Sequence, residues 1–414
     1  MYLIYKFIII QIEMKLIFYK FDKLFILKIK FKSLIIKLIF FCSIKISSYL
    51  FKCLTRTDIG LLKFKKEDNI NDDYINEYNK LRNKYINDSI LNYFLKEISI
   101  ISYDYTEQLK KDNNKIHMIA NMNNKYIYAS LVSINSVLRN SNRNKTTIVY
   151  HILCPEDLRR RNINKLKYFL FYYPTNLEMI FYNMGNLFNR FKKIRFSQVA
   201  FFRLLTPLFL PVEKVIYLDS DVLAFDDLYE MYNLNFNNNF VLGFLDPLSH
   251  GIDYLGLKSE KYINSGVLLL NLDLIRKKNK YYEIIQILNN YKKLENNDQT
   301  VINYVFYPNI GLLPLKYGIF NFNSIFDIKY IYSKIIRKKL NLTELIEAFN
   351  KPSLMHFILC EPKVWKINSL FIKKLTRVGT LGKTSCKPYH NIWIENAKNT
   401  SFFKEIKKFY KLKI

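Results

Sequence analysis

The chain is 414 residues long, half of them apolar, and carries 64 Lys and Arg against 35 Asp and Glu, a formal net charge of +29. That length holds one large α/β domain plus extensions, while five cysteines (Cys42, Cys53, Cys154, Cys360, Cys386) are too few and too scattered for a disulfide framework or a zinc site. The positive charge raises a nucleic-acid reading, but the lysines are spread along the whole chain and arginine is scarce, so no concentrated phosphate-binding face is expected and nucleic acid is left out as a partner.

Residues 1–52 alternate apolar clusters with single lysines, as in KLIFYKFDKLFILKIKFK. No uncharged apolar window reaches about 18 residues, and the best candidate span, Ser33 to Leu50, is broken by Lys37 and Lys45. An imperfect signal anchor, an interfacial amphipathic segment and an ordinary soluble extension all remain open. Residues 53–114 turn polar and rich in Asn and Asp, with Tyr74, Tyr78, Leu81 and Tyr85 at helical spacing, and are expected as a partly helical stem.

From Lys115 the pattern alternates. Ile116 to Ala120 reads as a strand, Tyr126 to Leu138 as a helix, Thr147 to Leu153 as a strand, Pro155 to about Tyr172 as a helix and Leu177 to Tyr182 as a strand. Repeated βαβ units of this length predict a parallel sheet covered by helices on both faces. Gln198 to Phe209 reads as a helix with Arg203 inside its apolar face, where a charge needs a partner or a ligand unless its head reaches solvent.

The apolar strand Val215 to Leu218 then stops at Asp219-Ser220-Asp221. Ligands of open α/β sheets collect at such strand ends, and acids at i and i+2 on extended backbone point to the same side. Two hard carboxylates suit Mg²⁺ or Mn²⁺ and the phosphates such ions hold. A solvated turn capping the next helix is the plain alternative, but Asp226 or Asp227 is better placed to cap there.

Phe240 to Leu245 reads as a strand. In Tyr262 to Leu274 (YINSGVLLLNLDL) small polar residues interrupt an apolar run, as in a β-bulge or a strand approached closely by something else. Asp298 and Gln299 open the helix Thr300 to Tyr307, with Asp298 also a natural N-cap. Pro352 to Phe357 reads as a short strand carrying His356, one of only five histidines, followed by EPKVWK; a lone histidine there is open to a structural or a ligand role. The tail, Tyr389 to Tyr410, reads as an amphipathic helix lying on the body or on a membrane.

In this order the motifs resemble those of family 8 glycosyltransferases, a retaining, nucleotide-sugar-dependent group, over roughly Lys115 to Thr400. The resemblance implies a GT-A-type, Rossmann-like mixed and mostly parallel sheet with helices on both faces. With the composition of the first 114 residues, it gives the expected division 1–52 (N-terminal segment), 53–114 (stem), 115–370 (catalytic domain) and 371–414 (helical tail). By the same resemblance, Asp219, Asp221 and His356 would hold Mn²⁺ or Mg²⁺, while Asp298, Gln299 and Arg203 would face the donor sugar as catalytic residues. Ser220, Asn264 and Ser265 would line that sugar, Lys363 would meet the leaving diphosphate beside Trp365, and Asn123, Asn124 and Tyr126 would meet the uridine.

Two departures stand out. Asn123-Asn124-Lys125-Tyr126 stands where the family carries Asp-Asp-Asn-Tyr or Asn-Asp-x-Tyr, and the closing motif has Leu359 in place of its glycine, with one extra residue before Lys363. The implied activity is transfer of a hexose from a UDP-sugar to a carbohydrate, glycoprotein or glycolipid acceptor. The rivals are a UDP-sugar-binding protein without turnover and a basic protein of membrane surfaces or nucleic acid. With the N-terminus read as an anchor and sequons at Asn87, Asn144, Asn341 and Asn399, the expected location is the Golgi or endoplasmic reticulum membrane with a lumenal catalytic domain, and otherwise the cytoplasm.

Overall fold

The computed structural model describes residues 68–106, 114–142, 145–173, 176–188, 198–246, 257, 261–290, 297–320, 342–358, 363–366, 376–377, 383–384 and 387–412. The chain divides into two compact units, residues 1–62 and 63–414, and everything described belongs to the second. The apolar N-terminal segment, with the anchor and amphipathic readings of it, lies outside the described residues, among which no helix is long and apolar enough to cross a membrane.

The stretch that composition presents as a polar tether is built into the body. Helix α1 (Asp68–Asn83) and helix α2 (Ser89–Leu95) are followed by strand β1 (Ser99–Tyr105). Asp88 caps α2 by accepting from the backbone of Ile90 and Leu91, which lets Leu91, Phe94 and Leu95 turn inward. Tyr78 and Tyr85, on the helical spacing visible in the sequence, are buried in the same core. β1 pairs antiparallel with β4, so this segment closes one side of the sheet.

The alternating region follows its predicted periods in β2 (Asn114–Asn121), α3 (Ile127–Asn140), β3 (Thr146–Cys154) and β4 (Leu177–Asn183), while α4 (Arg160–Tyr172) begins five residues after Pro155, which instead opens a turn closed by Leu158 N–H on the Pro155 carbonyl. β3 is buried at every position, as a central strand covered on both faces must be. Gln198 to Leu205 is a 3₁₀ segment running into α5 (Thr206–Phe209), which carries Pro207 in its first turn, where its missing N–H costs nothing.

β5 (Lys214–Leu218) and β6 (Val222–Ala224) flank the acid pair, followed by α6 (Tyr229–Tyr232), β7 (Val241–Leu245) and β8 (Ile263–Asn271). The apolar run of β8 does not continue to Leu274: the Asn271 side chain accepts from Leu274 N and starts α7 (Leu272–Lys277). The rest comprises α8 (Lys280–Asn290), α9 (Asn297–Phe306), β9 (Ile310–Leu312), β10 (Ile319–Phe320), α10 (Leu342–Asn350) and β11 (Leu354–His356). The tail forms two helices rather than one, α11 (Lys387–Lys398) and α12 (Phe403–Tyr410), separated at Thr400, whose hydroxyl bonds back to the Ala397 carbonyl.

The main sheet has eight strands in the order β1-β4-β3-β2-β5-β8-β7-β9. β4, β3, β2 and β5 run parallel, β8 is antiparallel to both β5 and β7, and β9 is parallel to β7. This is the mixed, mostly parallel sheet the motifs implied. A second sheet, β10-β11-β6, branches off just after the acid pair. β6 is held on α3, where Ser136 Oγ accepts from Ala224 N (2.9 Å) and Asn140 Nδ2 donates to Ala224 O (3.0 Å).

Candidate active site

The acid pair sits at the joint between the two sheets. β5 ends at Leu218, paired with Val267 of β8, and Asp219 N–H then donates to the Gly266 carbonyl at 2.8 Å. The backbone turns at once, Val222 N–H donating to Asp219 O (3.1 Å), with half-buried Ser220 at the turn. β6 pairs antiparallel with β11 so that Val222 faces His356, and Phe357 N–H donates to Asp221 O at 2.9 Å. This strand register, and no local sequence feature, brings in a histidine 135 residues downstream.

His356 Nε2 lies 3.2 Å from Asp221 Oδ1 and 4.0 Å from Asp219 Oδ2, and one ligand atom of each residue falls within 4.8 Å of the others. Lys363 Nζ is 2.6 Å from Asp221 Oδ2. Burial alone would raise the Asp221 carboxyl, but Lys363 and His356 outweigh it and hold the group well below the usual carboxylate range. Two carboxylates and an imidazole suit a divalent cation. The backbone leaves room for the cluster at Gly266, where a Cβ would stand 2.2 Å from His356 Cε1 and 2.9 Å from Asp219 Oδ2. The residues present therefore fit such an ion.

Arg203 finds partners on every side. Its guanidinium lies over the Tyr217 ring, 3.6 Å from the centroid, and 3.0 Å from Asp298 Oδ2 and 3.5 Å from Asp219 Oδ1, while it donates to the carbonyls of Ala200 and Ser265. Asp298, in the first turn of α9, is buried beside it. Burial raises its carboxyl, Arg203 opposes and Asp219 adds to the rise, leaving it pushed up to about 6. Gln299 reaches β8: its Oε1 accepts from Ser265 N (3.1 Å) and Asn264 Nδ2 (3.2 Å). The interrupted strand at 264–266 is a bulge, since β7 and β8 lose register between Gly243 and Phe244.

The residues expected at the uridine divide. Asn123 accepts from the backbone of Lys125 and Tyr126 and starts α3, yet it also lines an open cavity of about 450 Å³ at the ends of β2, β3 and β4, with Asp157, Asn186, Gln198 and Phe202. The Asn124 carboxamide is engaged elsewhere: it donates to Asp157 O and accepts from Arg159 N and Asn162 Nδ2, tying the loop after β2 to the loop after β3. Trp365 is buried against Trp393 and Tyr410, with Tyr126 edge-on to it, so its ring belongs to the packing of the tail. His390 on α11 bonds to the Val364 carbonyl at 2.6 Å, which fixes the segment carrying Lys363.

Sequence reasoning missed three participants. The Tyr217 hydroxyl donates to Asp219 Oδ1 at 2.5 Å; its signal was its place two residues before an acid on one strand, masked by an apolar run. Gly266 carried a visible signal as the only glycine of its strand. Asn303 clamps α9 to β8 by bonding both the N–H and the carbonyl of Ile263, and nothing in a helical sequence marks such a residue.

The family model of glycosyl transferase family 8 matches residues 117–369. A putative glycosyltransferase of Haemophilus influenzae is 30% identical over 98 residues, 22% of this chain and 30% of that protein. A lipopolysaccharide 1,2-glucosyltransferase of Escherichia coli is 26% identical over 223 residues, 49% of this chain and 61% of that protein. The chain thus spans between about a third and three fifths of these relatives. The structure of the galactosyltransferase LgtC in complex with donor and acceptor sugar analogues has the same fold, with a TM-score of 0.51 at 18% identity over 72% of this chain and 99% of that one. The expected Golgi or endoplasmic reticulum location is corrected: the matching curated relatives are bacterial, from cells without either compartment, and no described helix can cross a membrane. By its family match over most of the described body, the chain belongs to glycosyl transferase family 8.

Proposed function

We propose that the chain is a retaining glycosyltransferase that moves a hexose from a UDP-sugar to a saccharide acceptor, with residues 115–370 as its catalytic domain. The observation that carries this reading is the convergence of Asp219, Asp221 and His356 at the joint of the two sheets. A divalent cation, Mn²⁺ or Mg²⁺, held by these three would neutralise charge on the departing diphosphate. Lys363, beside Asp221, is placed to add a second positive charge to the same group.

Asn123 borders the cavity assigned to the nucleoside, Asn124 holds its rim through Asp157, and Tyr126, edge-on to Trp365, supports the start of α3 beside it. Ser220, Asn264 and Ser265 flank the space for the sugar. Arg203 and Asp298 form a buried ion pair that steers the sugar and sets the field at the anomeric carbon, where positive charge develops. A carbonyl oxygen has two lone pairs, and both on Gln299 Oε1 are engaged. This disfavours a covalent adduct on that oxygen, so retention would run through same-face attack or through the Asp298 carboxylate. The donor and acceptor analogues bound by LgtC and the saccharide named for the Escherichia coli relative support a carbohydrate acceptor.

The second reading is a UDP-sugar-binding protein without turnover, favoured by the engagement of Asn124 away from the cavity. One experiment separates the two. Cation-dependent release of sugar from UDP-sugars is expected for the natural chain and a loss of about 100-fold or more for Asp219→Ala and Asp221→Ala. Undiminished turnover in those variants would refute the cation role, and stabilisation by UDP without any turnover would favour the second reading.

A further inference from the structure

We propose that Asp246, at the end of β7, is a positioning residue of this site, acting through Gln299; the inference rests on the transferase reading. β7 and β8 pair at Phe244 with Asn264 and again at Gly243 with Leu268, so the residues between have no ladder partner on β7. Buried backbone groups left over at a bulge must be satisfied by other means. Gly266 N–H donates to Asn264 Oδ1 at 2.9 Å, the Ser265 carbonyl accepts from Arg203, and Ser265 N–H donates to Gln299 Oε1 at 3.1 Å. The bulge is therefore shaped by side chains from three separate elements.

The orientation of the Gln299 carboxamide follows from chemistry. A backbone N–H can only donate, so the atom facing Ser265 N is the oxygen. The amide nitrogen must then point the other way, where it donates to Asp246 Oδ2 at 2.6 Å, an acceptor that is itself almost fully buried. Asp246 is anchored in turn, its own N–H donating to the Tyr262 carbonyl at 3.0 Å. Without the carboxylate, the amide loses its only charged partner in this contact and can rotate, withdrawing its oxygen from Ser265. The consequence reaches the acids, because the bulge carries Gly266, which packs against His356 and Asp219, and the Ser265 carbonyl, which holds Arg203.

The test is a double-mutant cycle between positions 246 and 299, read by UDP-sugar turnover, Mn²⁺ titration and thermal midpoint. Asp246→Ala is expected to lower kcat about 100-fold with KM changed only a few-fold, because a small misplacement at a reacting centre has that order of effect. D246N keeps an oxygen that can accept from Gln299 and is expected to stay within about tenfold of the natural chain. Q299E sets two carboxylates face to face and is expected to fall below either. The double variant D246N/Q299E restores a donor–acceptor pair with reversed polarity, so it is expected to recover at least about tenfold over Q299E alone.

Turnover of D246A within about twofold of the natural chain, or a double variant that merely multiplies the two single losses, would overturn the proposal. A lowered thermal midpoint with intact kcat would reduce Asp246 to a structural role and overturn it equally. If the natural chain turns over no UDP-sugar, the transferase reading fails separately. The coupling is then read from Mn²⁺ affinity, and its absence there overturns the proposal in its own right.

Discussion

Two histidine environments in this molecule show how little a lone histidine says by itself. His356 points Nε2 at two carboxylates, whereas His151, equally buried, bonds to the Tyr182 hydroxyl (3.2 Å) and to His117 (3.1 Å), with Tyr74 close by. The hydrogen-bond partners of His151 are all tyrosine or histidine. Burial pushes it well below the ordinary histidine range, and His117 adds to the shift. Both residues lie on buried strands. The difference lies in which strand runs alongside: β6 brings acids to His356, and β2 and β4 bring a histidine and a tyrosine to His151.

The contrast predicts a graded set of responses. His356→Ala should reduce cation-dependent turnover by about 100- to 1,000-fold, while His151→Gln should leave turnover per folded molecule within about twofold, as a steady-state assay corrected for folded fraction would show. Gly266→Ala comes next, because its new methyl group would collide with the His356 ring; a loss of about 10- to 100-fold in Mn²⁺ affinity is expected by titration. Tyr217→Phe removes one hydrogen bond to Asp219 and should weaken Mn²⁺ binding by about tenfold or less.

The smallest effect lies at the other histidines. Burial lowers His117 to about 3 and His151 well below 6.5. The unfolded chain therefore binds protons that the native chain refuses. Stability from keeping these rings neutral is fully present above about pH 6.5 and declines as pH falls from there toward 3. Thermal midpoints measured across that range should fall with acid, and the slope should be shallower in a His117→Gln/His151→Gln double variant.

Much of the fold was legible because periodicity is local. β2 to β4 and α3 lie where the alternation placed them, α4 shares its expected end but starts at Arg160, and Asp219 and Asp221 were visible as acids ending an apolar strand. What escaped was set by pairing across the chain. His356 was joined to those acids by the family resemblance and not by any local pattern, since their meeting depends on β11 lying beside β6; that Gln299 has its oxygen turned inward, which depends on a bulge and on Asp246, was not visible at all. Trp365 matched the expected motif yet packs with the tail, because Trp393 and Tyr410 offer it a more complete apolar enclosure. The stem reading of residues 53–114 rested on average polarity, whereas the inward-facing Tyr78, Phe94 and Leu95 are what a core requires.

The antiparallel pairing of β1 with β4 has a practical consequence. β4 is buried at nearly every position and lies one strand in from the margin of the main sheet. Trimming the chain to its family match at residue 117 would remove β1, α1 and α2 together. It would leave β4 with a bare row of backbone donors and acceptors, flanked by aromatic side chains stripped of cover, a template on which a second copy could add a strand and begin to aggregate. Soluble preparations of this family 8 chain should therefore retain the residues from 68 onward.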